Sequence, residues 1–177
     1  IGSLPPFVSI VLSAIKKRIV SVRISTNSLA IYSEKSYSLI MLHDIFRNWL
    51  SAGQFSLLNL CLKGEEKDWF ANRMSEIRNI IKTMPKTLEQ DGMGDNAIVY
   101  LHYFIGCSDW YITEKDAGNI DDAPEVRGQQ LQAFGLCDPY RDGGELGYVS
   151  IKELIDSGVE LDLHWTPKTL GEVKSIR

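Results

Sequence analysis

The sequence is poor in the residues from which small proteins build disulfide frameworks and metal sites. Only three cysteines and three histidines occur among 177 residues. Cys61, Cys107 and Cys137 are odd in number and show no paired spacing. This pattern argues against a secreted disulfide framework and predicts reduced thiols in a cytoplasmic protein.

Motifs for phosphate binding and for covalent catalysis are also lacking. Gly92-Met93-Gly94 has no third glycine and does not join a strand to a helix, and no serine lies in a nucleophile elbow. A mixed metal site can be drawn, but its members lack the spacing of ligand pairs: His102, Cys107, Cys137 and His164. We therefore predict no metal, no cofactor and no catalytic residues, and favour a protein that is not an enzyme.

No apolar run is long enough to cross a membrane. The longest candidate, residues 7–15, is far short of a bilayer span and is followed, not preceded, by Lys16-Lys17-Arg18. We interpret it as a buried element and expect no membrane partner. An amphipathic helix lying on a membrane surface is the alternative.

Charge is divided unevenly along the chain. Residues 1–90 hold 12 Lys+Arg and 7 Asp+Glu, a net charge of +5, whereas residues 91–177 hold 7 and 16, a net charge of −9. Such asymmetry often indicates different surroundings for two segments, although mutual attraction of the halves or simple solvation also accounts for it.

Hydrophobic periodicity predicts mixed structure before residue 90. Residues 7–15 have helical spacing, and 19–25 alternate as a strand. Residues 29–32 fit a second strand after a turn, and 36–42 fit either a strand or a helix. Residues 44–50 read as a helix that Gly53 would end, and 55–62 are too short and apolar to assign. The clearest element is a helix over 65–84, ended by Pro85.

Residue patterns typical of β-strands predominate after a polar, glycine-containing segment at residues 86–96. We predict strands over 98–104, 110–114, 132–137, 145–149 and 161–165, an acidic loop over 115–129, and a short helix over 151–155 capped by Ser150. The predicted class is α+β: a mixed N-terminal part (1–90) whose long helix packs on a mainly antiparallel C-terminal sheet (91–177), as two parts or one compact domain.

The acidic side chains of the C-terminal half form the leading candidate surface. They cluster in turns and loops between residues 109 and 145, where they are suited to bind a basic partner protein. The candidate interaction residues are Trp110, Glu114, Asp116, Asp121, Asp122, Asp138, Asp142 and Glu145.

Two other functions remain open on the residues alone. Carboxylates of Glu114, Asp138, Asp142 and Glu145 would serve a metal-assisted hydrolase or nuclease if they converged, although they fail the calcium-loop pattern. Basic side chains on the long helix, with Arg78 and Lys82 as candidate contacts, would bind nucleic acid, although no recognition motif accompanies them.

Four segments of the C-terminal half occur in an order that resembles a known family: residues 109–114, 134–137, 145–150 and 161–165, followed by Pro167. The family comprises uncharacterised proteins encoded on plasmids, integrative elements and phages, with related modules in large polyvalent proteins. The resemblance covers about residues 97–173. It implies a mobile-element setting, but no established activity, cofactor or catalytic residue.

Together these features predict a non-enzymatic interaction protein encoded by a mobile element. An anti-defence role is one function that such a protein would have. Its expected partner is a host or element-encoded protein with a basic surface.

Overall fold

The computed structural model of the chain describes residues 45–119 and 121–176. The elements predicted over 7–15, 19–25, 29–32 and 36–42 lie outside these residues. Within them the chain alternates helices and short antiparallel strands, so the predicted α+β class is confirmed.

In the described part of the chain, two complete helices lie before the sheet. Helix α1 spans Ala52–Cys61 and helix α2 spans Lys67–Thr83, in agreement with the predicted helix over 65–84. Met74, Ile77 and Ile81 form the buried stripe of α2, because three- and four-residue spacing places them on one face.

The expectation that Gly53 ends a helix is wrong. Gly53 lies in the first turn of α1, where the hydroxyl of Ser51 accepts a hydrogen bond from the Gln54 N–H at 3.3 Å and caps the helix. Of the helix predicted over 44–50, residues 45–46 are helical and residues 47–49 form a turn, with the Leu50 N–H bonded to the Phe46 carbonyl. The unassigned segment 55–62 is helical.

The remaining elements follow a 3₁₀ turn at Gly94–Asn96. Strands are β1 (Ile98–Val99), β2 (Leu101–Ile105), β3 (Ser108–Glu114), β4 (Ala133–Asp138), β5 (Glu145–Val149), β6 (Glu160–Leu161) and β7 (Lys168–Thr169); the last helices are α3 (Ile151–Asp156) and α4 (Leu170–Ser175).

The larger sheet is antiparallel throughout, with strand order β5–β4–β3–β2–β6, and β1 pairs separately with β7. Only the first residue of the strand predicted over 161–165 is in a strand. Beyond it Asp162 turns the chain, because its carboxylate accepts the His164 N–H at 2.8 Å.

The two faces of this sheet carry separate apolar clusters, as the two-residue alternation of strands requires. Leu101, Tyr103 and Ile112 point toward one side, where they share a core with Ile77 and Met84 of the α2 region. This core therefore joins residues on both sides of residue 90. The division of the chain into halves at that point stays a prediction.

The opposite face is covered over only part of its area. Tyr111 and Leu136 pack there with Trp165, and with Leu170 and Val173 of α4. The polar residues of this second face, and the loops at its margins, provide the candidate sites.

Candidate functional site

The predicted acidic surface is not one continuous exposed face. Glu114 and Asp138 are buried, with 3% and 0% of their surface exposed. Trp110 is half-buried against the α2-facing core. Asp116 and Asp122 are also half-buried, and the fully exposed members of the predicted set are Asp121, Asp142 and Glu145.

Glu114 anchors the loop that follows α2. Its carboxylate accepts the backbone N–H of Leu88 at 2.9 Å and that of Gln90 at 2.5 Å. The Gln90 side chain then donates to the carbonyls of Ile98 and Thr113 and accepts the Ile98 N–H. Because charge-assisted bonds to buried N–H groups are among the stronger hydrogen bonds, Glu114 holds the loop on the sheet.

Asp116 and Asp122 have comparable local roles. The Asp116 carboxylate accepts N–H groups from Gly118, Leu131 and Gln132, and so closes both ends of the 115–132 loop. Asp122 accepts the Asn119 N–H at 3.0 Å. These two acidic side chains of the loop therefore serve its own hydrogen bonding.

The turn between β4 and β5 is also built around a carboxylate. Asp138 accepts the Asp142 N–H at 3.1 Å. Gly144 has φ +59° and lies so close to β4 that a Cβ there would come within 2.5 Å of the Cys137 carbonyl oxygen. Arg141 has φ +55°, and its guanidinium Nε donates to Asp109 at 3.2 Å.

The four carboxylates of the metal-assisted hypothesis do not converge. Asp138 pairs with Asp109 at the start of β3, whereas Glu114 is the last residue of that strand. Five residues of strand separate the two ends by roughly 16 Å. No group of three or more His, Cys, Asp or Glu side chains in the described residues is arranged to hold a metal ion. The geometry gives this hypothesis no support.

The basic candidates lie on α2. Lys82 is exposed and Arg78 is half-buried, with its Nε atom enclosed. Lys115 approaches the end of the same helix and donates to the carbonyls of Ile81 and Lys82, each at 2.8 Å. Burial, and then the nearby charge of Lys86, lowers the pKa of Lys115. This lysine satisfies carbonyls that a helix end leaves without partners.

Sequence reasoning missed a cluster around His102. Its Nε2 lies 2.9 Å from the Asp109 carboxylate and its Nδ1 lies 3.1 Å from that of Asp162. Tyr111 stacks on the imidazole with centroids 4.6 Å apart and an interplanar angle of 8°. The signal in the sequence was the hairpin register, which places His102 opposite Tyr111 and two pairs away from Asp109, on the same face.

The His102 cluster is built to hold structure. Both ring nitrogens already face carboxylates, so neither is directed at a substrate as a general base would be. The turn that carries Asp162 is fixed further by Arg73, whose guanidinium donates to the carbonyls of Leu163 and Trp165. The cluster thus fastens the 162–165 turn, and with it Trp165, onto the sheet.

An open cleft of about 650 Å³ lies beside this cluster. Its walls include His102, Tyr111, Trp165 and Arg141. Its charged groups are largely paired within the protein, since Lys174 meets Asp95 at 2.7 Å and Arg141 meets Asp109. A ligand entering here would have to replace these bonds.

A second cavity, of about 360 Å³, differs in character. It lies between the loop held by Glu114 and the exposed face of β4 and β5, and we call it the Leu88 groove. Leu88 and Leu146 line it with 69% and 48% of their surfaces exposed, and Leu170 is a buried member of its lining. The groove is lined by Leu88, Gln90, Asp91, Gly92, Gly94, Ala97, Thr113, Glu114, Phe134, Leu146 and Leu170.

Acidic side chains flank the apolar groove. Asp91 belongs to its lining and is exposed, and Glu89 lies two residues before it in the same loop. Glu145 is also exposed, but strand alternation directs it to the other face of β5 from Leu146. Exposed leucines beside carboxylates are typical of a surface for a partner that is apolar and basic.

Cys137 shows no sign of nucleophilic activation. Cys137 is half-buried on the core side of β4, and burial raises the pKa of its thiol. Cys107 is exposed in the turn between β2 and β3. A raised pKa disfavours the thiolate, which is the reactive form.

Comparisons with known proteins found no matching protein family, no matching curated protein and no matching solved structure. Within residues 45–119 and 121–176, no helix has the length and apolar character needed to cross a membrane.

Proposed function

We propose that this chain is a non-enzymatic protein-interaction module that binds a basic partner protein through the Leu88 groove and its acidic rim. A mobile-element setting, as the resemblance over residues 97–173 implies, is part of the proposal. The observation that carries it is the exposure of Leu88 and Leu146 at the mouth of an apolar groove.

Exposure of this kind carries a free-energy cost that binding would remove. Burial of apolar surface contributes about 25 cal/mol per Å², so a leucine left mostly in water forgoes on the order of 1–2 kcal/mol. Leu88 also adopts a left-handed backbone, φ +77°, which is unfavourable for this residue type. The Glu114 hydrogen bonds hold it there and present its side chain outward.

Electrostatics define the partner's chemistry. The residues from 91 onward have a net charge of −9, and Asp91 places part of that charge in the lining of the groove. A partner segment that inserts an apolar side chain and carries lysine or arginine on either side fits both features.

Two alternatives have less support. The metal-assisted hydrolase needs Glu114 and Asp138 together, and these lie at opposite ends of β3 and β4. Nucleic-acid binding would depend on Arg78 and Lys82, of which only Lys82 is fully exposed.

Selection from a random peptide library on the immobilised full chain tests the proposal. We expect enriched peptides to carry an apolar residue flanked by lysine or arginine. Leu88→Asp and Leu146→Asp should each weaken a selected peptide at least tenfold by fluorescence anisotropy. Ile105→Asp is the matched control, because Ile105 is 46% exposed but lies at the end of β2 and does not line the groove.

The charge contribution is tested separately with Asp91→Lys, which should weaken binding and reduce its salt dependence. Selected peptides that lack basic residues, or that bind both leucine variants as tightly as wild type, would rule the proposal out. So would a selection that enriches no peptide.

A further inference from the structure

Strand β5 forms an unprotected edge of the sheet. It is the terminal strand in the order β5–β4–β3–β2–β6, with no strand beyond it among the described residues. Its pairing with β4 is regular from Glu145 to Val149, without a bulge. It also contains no proline and no lysine, two of the residues by which proteins often blunt a sheet edge, and Glu145 is its one charged side chain.

Two large apolar side chains of this edge strand are exposed to solvent. Leu146 and Tyr148 lie on the same face of β5, and they are 48% and 63% exposed. Tyr148 contacts Phe134 of β4 edge to face, with ring centroids 5.5 Å apart. Gly147 between them has no heavy atom within 4 Å of the position of a Cβ.

We propose that β5 pairs with β5 of a second copy of this chain, antiparallel and about a two-fold axis at Gly147. In this register Leu146 lies opposite Tyr148 of the second copy, and the same contact recurs by symmetry. Cross-strand pairs of an aromatic and an aliphatic side chain stabilise antiparallel sheets. The two five-stranded sheets become one sheet.

The charges at the strand ends are complementary in the same arrangement. Glu145 lies opposite Val149 of the second copy, so no two carboxylates face each other within the strands. Asp142, exposed in the turn before β5, approaches the end of the second copy's strand, where Lys152 follows in α3. Lys152 is 41% exposed and its ammonium pairs with Asp156 in its own chain, leaving it at the surface.

The register distinguishes a second copy from other occupants of this edge. A two-fold antiparallel pairing matches the strand with its own reverse, so like charges at both ends of the strand would face each other and oppose it. Strand β5, with the sequence Glu145-Leu146-Gly147-Tyr148-Val149, places no like charges opposite each other in this pairing. Because one five-residue strand covers less than the roughly 1,200 Å² of a stable interface, we expect a dimer that dissociates on dilution.

Disulfide trapping of the full chain tests the register. Directly opposite residues in antiparallel strands have Cα atoms about 4.5–5.5 Å apart, within the range that a disulfide bridges. With Cys61 and Cys107 changed to serine, Gly147→Cys should cross-link into dimers at least tenfold faster than Gly106→Cys. Gly106 is the control because it is exposed in the turn after β2 and is not on this edge.

Sedimentation equilibrium provides the second measurement. The weight-average mass should rise with concentration from 20.0 kDa toward twice that value. Tyr148→Glu should abolish the rise, whereas Leu88→Asp, which affects the groove but not the strand, should leave it intact. A mass of one chain at all concentrations would overturn the proposal. So would dimers in which Gly147→Cys cross-links no faster than Gly106→Cys, because they would use another surface.

Discussion

Leu88 and Arg141 are the residues other than glycine with a left-handed backbone in the part of the chain that the structure describes. Each is held by a polar contact with a carboxylate of β3. The Leu88 N–H bonds Glu114, and the Arg141 guanidinium bonds Asp109. A left-handed conformation costs roughly 1–2 kcal/mol for such residues, so these contacts offset local strain. A leucine or an arginine in the sequence does not indicate a left-handed backbone.

Gly144 shows how closely the turn before β5 is fitted. We expect Gly144→Ala to destabilise the fold by about 3 kcal/mol, because backbone strain adds to overlap with the Cys137 carbonyl. Gly106→Ala is the matched control. Gly106 has nearly the same backbone angle, φ +58° against +59°, but open space around it, so it should cost only about 1 kcal/mol. Urea unfolding of both variants measures the difference, and equal losses would contradict the predicted overlap.

At the scale of elements, short helices here depend on specific caps. Helix α4 has six residues, and a capping box joins Thr169 to Glu172. The backbone hydrogen bond from Thr169 is the main cause that lowers the pKa of Glu172 below its usual value. Lys174 adds a contact to Asp95, and Leu170 and Val173 bury the inner face. Such a helix is too short to be stable without these contacts.

Acid should therefore loosen α4. Since the folded pKa of Glu172 is below the unfolded one, its contribution is present above the unfolded pKa and is lost as pH falls through the folded pKa. The protection of residues 170–175 against hydrogen exchange, measured relative to the intrinsic exchange rate at each pH, should fall as the solution is acidified from pH 7 to about pH 3. Glu172→Gln should be less protected at pH 7 and show a smaller further loss of protection. An identical pH response in that variant would mean that another group is responsible.

The whole molecule, as far as residues 45–176 are described, depends on a core that crosses from helix to sheet. Ile77 of α2 is 1% exposed and belongs to the same cluster as Leu101, Tyr103 and Ile112 of the central strands. The hydroxyl of Tyr103 reaches the Trp49 carbonyl at 2.8 Å, which adds a polar link between the layers. Helical and strand layers should consequently lose stability together.

Ile77→Ala tests this coupling. Removal of the buried side chain should cost about 3 kcal/mol, through lost apolar burial and the cavity left behind. Hydrogen exchange of peptides from α2 and from β2–β3 should reveal the same loss of free energy. Trp69→Ala on the exposed side of α2, where Trp69 is 43% exposed, should cost much less. Lost protection in α2 alone would show that the layers open independently.

Local patterns were sufficient for much of the fold. The stripe of Met74, Ile77 and Ile81 predicted α2, and dense β-branched and aromatic runs predicted the hairpin of β2 and β3. The predicted bounds of β5 are those observed. These elements depend on residues close in sequence. Segment 55–62 was not assignable, because a short apolar run fits a helix or a strand equally well.

The roles of the acidic residues could not be predicted in the same way. Composition determined that the C-terminal half is negative, and the turn chemistry determined where its loops lie. Only the tertiary structure decided that Glu114 and Asp138 are buried, that His102 lies between two carboxylates, and that Leu88 and Leu146 share a groove. The physical reason is that burial and pairing depend on strand register and on loops that return from distant positions, which no short window of sequence records.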